Sequence, residues 1–241
     1  MTDLAPGAAA TEWQVGTVTE IRQETALATT FRFALERATG HVPGQHLVVR
    51  LTAPDGYQAS RSYSIANPPD GSGEVELTVE RLEGGEVSSF LHDVVEVGDE
   101  IELRGPIGGW FVWDGSTPAL LLGGGSGVVP LVAMLRHARN LGRSDLLRLV
   151  VSVRRPEDLL YAAELTGPEV TVLYTREAPP GDARPVGRLD VGDLPADLST
   201  EATAYVCGSS GFADHATRVL GYGGVPTTSI RVERFGPTGT T

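Results

Sequence analysis

Cysteine is almost absent from the sequence, and its scarcity excludes several kinds of site. Cys207 is the only cysteine among 241 residues. One thiol cannot form an intrachain disulfide, a four-cysteine zinc site or a cysteine-ligated iron–sulfur cluster. The five histidines include no pair at a metal-ligand spacing on a predicted helix, and no Gly-x-Ser-x-Gly or Ser/His/Asp pattern indicates a hydrolase. We therefore expect neither a metal site nor a hydrolytic site.

Excess positive charge and a targeting segment are also missing. The chain has 19 Lys and Arg against 31 Asp and Glu, and its net charge of −12 repels nucleic-acid phosphates and anionic lipids. Residues 1–11 lack the basic flank and apolar core of a signal peptide. Residues 117–135 are uncharged, but their glycines fit a strand, a turn and a helix better than a membrane span. We therefore expect a cytoplasmic protein without nucleic-acid or membrane partners.

The first part of the chain has the pattern of an antiparallel barrel. Hydrophobic residues make up 41% of the sequence and charged residues 21%, which is enough apolar surface for a packed core. Up to about residue 113 the apolar residues alternate, which predicts strands over 14–21, 30–35, 46–51, 61–65, 74–81 and 100–103, with one short helix over 88–93. The turns between these strands are too short for parallel crossovers. An antiparallel barrel of six strands, in a domain over 1–114, is therefore predicted.

The second part, 115–241, has the pattern of a parallel α/β domain. Strands rich in Val and Leu are predicted over 119–122, 147–153, 170–174, 204–206 and 229–232. Helices are predicted over 131–140, 156–165 and 212–220. This alternation indicates a parallel sheet covered by helices on both faces.

The strongest motif lies on a predicted barrel strand, in the segment RSYSIAN at 61–67. Taken alone, this segment indicates only a solvated arginine and a half-buried tyrosine on a barrel strand. On a barrel that precedes a glycine loop and an α/β domain, it resembles the ferredoxin–NADP(H) reductase family of flavoproteins, and this resemblance extends over about residues 13–235. It implies that Arg61 pairs with a flavin phosphate, Tyr63 packs on the flavin and Ser64 lies by the flavin N5. The expected cofactor is FAD, with FMN as the alternative.

The next segment with this resemblance is GGEVSSFL at 84–91. It is similar to the Gly-Gly-x-x-Ser segment of the family, which implies that Gly85, Val87 and Ser88 hold the flavin pyrophosphate at a helix start, a good anion site. Taken alone, Ser88 reads as a helix N-cap. The segment GPIGGWF at 105–111 resembles the turn that closes the family's barrel, a structural role.

A glycine loop, GGGSGVVP at 123–130, follows the first parallel strand. Its spacing is not Gly-x-Gly-x-x-Gly, but it is similar to the family's Gly-Gly-x-Gly-x-x-Pro loop for the nicotinamide nucleotide. The resemblance implies that the pyrophosphate is held by four residues: Gly124, Gly125, Ser126 and Gly127. A merely tight strand–helix turn is the alternative.

Two arginines follow the next parallel strands and bear on the choice of nucleotide. Arg154 and Arg176 stand where the adenosine ribose is expected, and either could meet a 2′-phosphate. NADPH is therefore the expected donor, with NADH as the alternative. The competing interpretation is that Arg154 only pairs with the acidic residues at 157–158.

The last two parallel strands carry the remaining candidates. Cys207 and Gly208 end the fourth strand, where the family has a Cys-Gly beside the nicotinamide C4, although a lone cysteine is more often a buried hydrophobe. Serines follow where many members have proline. Glu233 and Phe235 match the family's terminal Glu-x-aromatic, in which the aromatic covers the flavin. Here six residues follow Phe235, whereas plant-type members end at the aromatic.

The resemblance implies an FAD-dependent NAD(P)H oxidoreductase. Hydride would pass from NADPH to the flavin in a crevice between the domains, at a site shaped by Ser64, Cys207, Glu233 and Phe235. With one cysteine the chain has no cluster of its own, so a separate ferredoxin, flavodoxin or oxygenase component is the expected acceptor. The alternatives are a reductase of free flavin or a ferric chelate, and a flavin-binding subunit that does not turn over.

Overall fold

The computed structural model describes residues 12–38, 40–196, 199 and 201–236, and its contacts divide the chain into two compact units between Val112 and Trp113. The first unit contains six strands and one helix. They are β1 (Trp13–Thr25), β2 (Ala28–Leu35), β3 (His46–Thr52), β4 (Gln58–Ser64), β5 (Glu74–Glu80), α1 (Glu86–Asp93) and β6 (Glu100–Ile107).

These six strands form an antiparallel barrel, as the alternation predicted. Their order is β4-β3-β6-β1-β2-β5. A bridge between Ile65 and Leu77 joins the two outer strands, and the Ala66 N–H donates to the Glu76 carbonyl oxygen at 2.8 Å. The barrel core is apolar and includes the fully buried Phe33. Burial of each such side chain contributes roughly 1.5–3 kcal/mol to folding.

In its described residues, the second unit contains five strands and two helices. They are β7 (Ala119–Gly124), α2 (Val129–Asn140), β8 (Leu147–Val153), β9 (Val170–Tyr174), β10 (Thr203–Ser209), α3 (Ser210–Tyr222) and β11 (Ile230–Phe235). All five strands are parallel, as predicted, in the order β11-β10-β7-β8-β9.

Helices cover the two faces of this sheet. Leu120 and Leu122 of β7 belong to the same buried cluster as Ala216 and Leu220 of α3. On the opposite face, Leu131 of α2 lies 3.1 Å from the position that a Cβ on Gly123 would take. Because β7 is packed on both sides, its run of leucines is fully buried, as in other parallel sheets.

The strand order places a topological switch point between β7 and β10. From β7 the chain moves outward through β8 and β9, and it then returns to the other side of β7 to form β10 and β11. In open α/β sheets, ligands bind at the carboxyl ends of the strands at such a point. None of the helices in the described part of the chain is long and apolar enough to cross a membrane.

The helix predicted over 156–165 is wrong. The structure has only a single 3-10 turn, Pro156–Asp158, and Tyr161 has a φ of +55°, outside the helical region. Leu159, Leu160 and Tyr161 are all buried. The left-handed φ of Tyr161 interrupts any right-handed helix over this segment.

Candidate functional site

The first group of candidate residues lies on β4 and its polar side chains have few partners. Arg61 is exposed; its Nη1 donates to the Ser60 carbonyl oxygen at 2.7 Å, and it forms no ion pair with the described residues. Ser64 is buried, with 5% of its surface exposed, and its hydroxyl has no hydrogen-bond partner in the described part of the chain. Tyr63 is half-buried, and this burial raises the pKa of its phenol to about 12. The tyrosine is therefore a neutral donor at any physiological pH.

The second group lies at the start of α1. Gly85 is the N-cap residue, and Ser88 is the third residue of the helix, so the interpretation of Ser88 as the N-cap is wrong. The Ser88 hydroxyl donates to the Gly85 carbonyl oxygen and accepts from the Leu82 N–H, both at 3.2 Å. A Cβ on Gly85 would lie 2.4 Å from this hydroxyl. Ser88 thus holds the turn before the helix, and the groups left for an anion are the N–H groups of the first turn, including that of Val87.

A tyrosine that sequence analysis missed joins the β3–β4 hairpin to this helix start. The Tyr57 hydroxyl donates to the Glu86 carboxylate at 3.1 Å, and this hydrogen bond raises the pKa of Tyr57. The ring is 56% exposed. The two residues are 29 positions apart, so the sequence carried no signal for the contact.

These features fit a flavin nucleotide. Since α1 packs against β4, the helix N-terminus and the β4 side chains belong to one region of the barrel. The region offers an exposed guanidinium for a phosphate, helical N–H groups for a second phosphate, an aromatic ring and a hydroxyl without a partner among the described residues. The Ser64 hydroxyl is therefore available to a polar group of a ligand.

In the second unit, the glycine loop lies at the switch point. A single 3-10 turn, Gly125–Val128, leads from β7 into α2, so the first N–H groups of the turn, including that of Ser126, lie at the carboxyl end of β7. Gly125 has a φ of +56°, and no atom lies within 4 Å of the position of a Cβ there. Backbone N–H groups of the loop are therefore accessible at the carboxyl end of β7, where an anion is expected.

The other two loop glycines are required by packing within the unit. A Cβ on Gly127 would lie 2.2 Å from the Cys207 carbonyl oxygen, and a Cβ on Gly124 would lie 2.5 Å from the ring of Phe212. Phe212 also lies 2.8 Å from the Cβ position of Gly208. Sequence analysis missed this phenylalanine, because its contact with Gly124 joins parts of the chain that are distant in sequence. The glycines bring the carboxyl ends of β7 and β10 together.

Cys207 and Glu233 are neighbours across β10 and β11. Cys207 is fully buried, and burial, together with the charge of Glu233, raises the pKa of its thiol. Burial also raises the pKa of Glu233 to about 7. The pair therefore presents a neutral thiol beside a carboxyl group that is about half protonated at neutral pH.

The residues after β10 and at the end of β11 complete this edge. Ser209 stands where many family members have proline, and its hydroxyl accepts from the Phe212 N–H at 3.3 Å as the N-cap of α3. Phe235 pairs with Ser209 in the strand register and is partly exposed. Its ring lies outside the buried core.

Four exposed arginines lie at the ends of β8 and β9, and one of them, Arg155, pairs with Glu157 and Glu177. The Arg176 N–H donates to the Arg154 carbonyl oxygen at 3.0 Å, so the two are adjacent. Arg154 lies 3.7 Å from the Asp158 carboxylate, whereas Arg176 forms no ion pair with the described residues. Sequence analysis missed Arg188, which the hydrogen bond from the Gly187 N–H to the carbonyl oxygen of Tyr174 brings to the end of β9. Within the described residues, no group of three or more His, Cys, Asp and Glu side chains could hold a metal ion.

Two family models match the chain. Residues 15–112 match an oxidoreductase FAD-binding domain and residues 121–218 match an oxidoreductase NAD-binding domain. The chain is 29% identical over 233 residues to the reductase component of propane 2-monooxygenase from Rhodococcus jostii, with 90% of this chain and 62% of that protein covered. It is 32% identical over 207 residues to a flavohemoprotein from Pseudomonas putida, covering 81% of this chain and 51% of that protein. The chain thus spans less than two thirds of these relatives.

Solved structures share the fold. The FAD/NAD-binding domain of nitric oxide dioxygenase from Vibrio cholerae superposes with a TM-score of 0.81 at 26% identity, over 93% of this chain and 99% of that domain. Phthalate dioxygenase reductase superposes with a TM-score of 0.74 at 22% identity, over 95% of this chain and 70% of that protein. At that identity the second match supports the fold alone.

Proposed function

Since the chain belongs to the oxidoreductases that join an FAD-binding domain to an NAD-binding domain, we propose that it passes electrons from NADPH through FAD to a separate acceptor. The observation that carries the proposal is on β4, where Arg61 has no ion pair and the Ser64 hydroxyl has no hydrogen-bond partner among the described residues, three positions apart. A phosphate and the polar edge of a flavin would supply these two partners.

The first unit would bind the FAD. Arg61 would bind a phosphate through its planar fork, and the N–H groups of the first turn of α1 would hold the pyrophosphate. Tyr63 would pack on the isoalloxazine, and Ser64 would donate to its polar edge. When bound, FAD supplies the chemistry that amino acids lack, because it accepts electrons as a hydride and releases them in pairs or singly.

The second unit would bind the nucleotide at the switch point. The N–H groups of Gly125, Ser126 and Gly127 would hold its pyrophosphate. The nicotinamide would then lie near Cys207 and Glu233. Because the buried thiol stays protonated, Cys207 would be an uncharged surface for the ring and would not act as a nucleophile.

The acceptor would be a separate protein. Several relatives are reductase components, among them that of propane 2-monooxygenase and the electron transfer component of toluate 1,2-dioxygenase from Pseudomonas putida. With one cysteine, these 241 residues hold no cysteine-ligated cluster, so the electrons would leave for a centre outside them.

Anaerobic mixing with NADPH tests this function. We expect the flavin absorption to bleach within seconds and to return when ferricyanide is added. A yellow protein that neither NADPH nor NADH bleaches would be a flavin-binding subunit without turnover, and the proposal would be wrong.

The preference for NADPH rests on the arginines at the ends of β8 and β9. Arg176 would bind the 2′-phosphate, which NADH lacks, and a charge-assisted contact contributes roughly 1.5–3 kcal/mol. We expect Arg176→Ala to lower the ratio of kcat/KM for NADPH over NADH by about tenfold or more. Arg218→Ala, at an exposed arginine of α3 that forms no ion pair with the described residues, is the matched control and should leave the ratio unchanged. Equal kcat/KM values for both nucleotides in the wild type would contradict the assignment.

A further inference from the structure

Three segments of the barrel carry no acidic residue of their own, although the first unit is strongly acidic and the Asp70 carboxylate lies near His41 of one of them. Residues 1–112 contain 17 Asp and Glu against 7 Arg, which gives 7 − 17 = −10. None of these carboxylates lies in residues 40–46, 64–69 or 107–111. We call these three segments together the neutral rim.

Hydrogen bonds join the three segments at the end of the barrel where Ser64 lies. The Gln45 side chain donates to the Gly108 carbonyl oxygen at 2.8 Å, and the Ile65 N–H donates to the Gln45 carbonyl oxygen at 3.0 Å. His41 Nε2 donates to the Asn67 carbonyl oxygen at 2.9 Å. The rim is therefore one continuous structure, and it includes the residue proposed to lie against the isoalloxazine.

The rim exposes a tryptophan. Trp110 is 64% exposed, whereas its neighbours Phe111 and Trp113 are each 2% exposed. Val42, on another segment of the rim, is 37% exposed. Single exposed apolar residues are ordinary, but a large exposed aromatic on segments without acidic residues of their own has the composition of the centre of a protein interface. Tryptophan is enriched among the residues that dominate binding energy.

We propose that the neutral rim, through Trp110, docks the electron-acceptor protein, and that the contact face of this partner has an apolar centre surrounded by basic side chains. The carboxylates outside the rim, Asp70 among them, attract such a partner, and the rim segments contribute no acidic residue of their own to the contact. An acidic partner would be repelled by a unit with a charge of −10. The proposal rests on the proposed function, because it requires the flavin ring at Ser64.

The electron count fits a one-electron acceptor. Oxidation of one NADPH to NADP⁺ yields two electrons and releases one proton. Each acceptor centre takes one electron, so two acceptor molecules are reduced for each NADPH.

The test uses mitochondrial cytochrome c, a basic one-electron haem protein, as the probe and ferricyanide as a small acceptor that needs no docking. We expect Trp110→Ala to lower kcat/KM for cytochrome c by about tenfold and to leave ferricyanide reduction within about twofold of the wild type. Trp110→Phe should retain most of the cytochrome c activity. Tyr222→Ala, at an exposed aromatic of α3, is the control and should have no effect.

A second variant tests the charge argument without removing the tryptophan. No atom lies within 4 Å of the Cβ position of Gly109, so an arginine is sterically tolerated there. Gly109→Arg should also lower cytochrome c reduction, because it places a like charge against a basic partner. Increasing ionic strength should slow cytochrome c reduction by the wild type.

Three outcomes would overturn the inference. They are an equal loss with both acceptors in Trp110→Ala at full flavin content, an unchanged cytochrome c rate in Trp110→Ala, and faster reduction of an acidic ferredoxin than of cytochrome c. If the wild type with NADPH does not reduce ferricyanide either, the proposed function is wrong, and the inference is wrong with it.

Discussion

At the scale of single residues, the proposed flavin binding in the first unit uses one charge that no group among the described residues neutralises. Arg61 forms no ion pair with the described residues, so a phosphate would be its only ionic partner. A charge-assisted hydrogen bond to phosphate contributes roughly 1.5–3 kcal/mol. We therefore expect Arg61→Ala to weaken flavin binding by about 10- to 100-fold. Flavin fluorescence in the filtrate after dilution and ultrafiltration measures the loss.

The matched control for this prediction is Arg218→Ala, which removes an exposed guanidinium of α3. It should retain the flavin. If both variants retain it equally, Arg61 does not bind a phosphate, and the assignment of β4 to the flavin loses its main support.

Glu233 gives a residue-scale prediction about pH. Burial raises its pKa to about 7, above the value of an unfolded chain, so the folded protein binds a proton that the unfolded chain has lost. Stability should therefore fall as the pH rises from about 4.5 to above 7. Glu233→Gln removes this contribution and should raise the stability at pH 8 by roughly 1–2 kcal/mol, discounted for partial exposure.

Thermal unfolding of the wild type and of Glu233→Gln at pH 5 and pH 8 checks this prediction. The two proteins should differ little at pH 5, and the variant should have the higher Tm at pH 8. A lower Tm for Glu233→Gln than for the wild type at pH 8 would show that a partner stabilises the carboxylate.

At the scale of elements, the end of β11 offers a test of Phe235. The ring is partly exposed at the carboxyl edge of the sheet, paired in register with Ser209, and it lies outside the buried core. A core phenylalanine would cost about 3–5 kcal/mol on truncation, so a much smaller cost is expected here. The proposed nucleotide site uses this same edge. Phe235→Ala should therefore keep its Tm within a few degrees and tighten nucleotide binding.

Steady-state KM values for NADPH and NADH, measured together with thermal unfolding, distinguish a residue of the nucleotide site from a packing residue. A strongly destabilised variant with unchanged nucleotide constants would mean that Phe235 is a packing residue. That result would remove it from the candidate site.

The elements that the sequence predicted correctly are those whose local pattern and tertiary environment agree. The runs at 147–153 and 170–174 are strands with the predicted bounds, because two-sided burial in a parallel sheet selects uniform apolar runs. The segment at 156–165 has good helix formers, but tertiary contacts decide its structure. Arg139 of α2 donates to the Glu164 carbonyl oxygen at 2.8 Å, and Arg136 lies 5.0 Å from the centroid of the Tyr161 ring. No local pattern encodes those contacts.

The residues of the candidate site could be predicted only where they lie together in one local motif. Arg61 and Ser64 could be found because their motif lies within one strand. The contacts of Tyr57 with α1, and of Phe212 with two glycines, join distant parts of the chain and left no comparable pattern. Sequence also indicated which loop glycines matter without indicating why, since the structure shows that Gly127 serves the packing against β10.

At the scale of the whole molecule, the two units divide the binding tasks, and this division predicts the composition of the purified protein. The match to an FAD-binding domain covers residues 15–112, and the α1 N-terminus offers N–H groups for the second phosphate that distinguishes FAD from FMN. The match to an NAD-binding domain covers residues 121–218, where the proposed function has a nucleotide bind and leave in each turnover. The one cysteine, Cys207, is buried and can ligate no cluster by itself. We therefore expect one tightly bound FAD for each chain, no iron and no acid-labile sulfide.

Acid extraction followed by chromatography of the released flavin, with iron analysis of the same sample, measures this composition. The reconstituted protein is the control, because a loosely held flavin is lost on purification and returns when FAD is added. FMN in place of FAD would mean that the N–H groups of α1 hold no second phosphate. A colourless protein that takes up no added flavin, or one iron for each chain, would contradict the assignment of the first unit, because its unpartnered Arg61 and Ser64 would then serve no flavin.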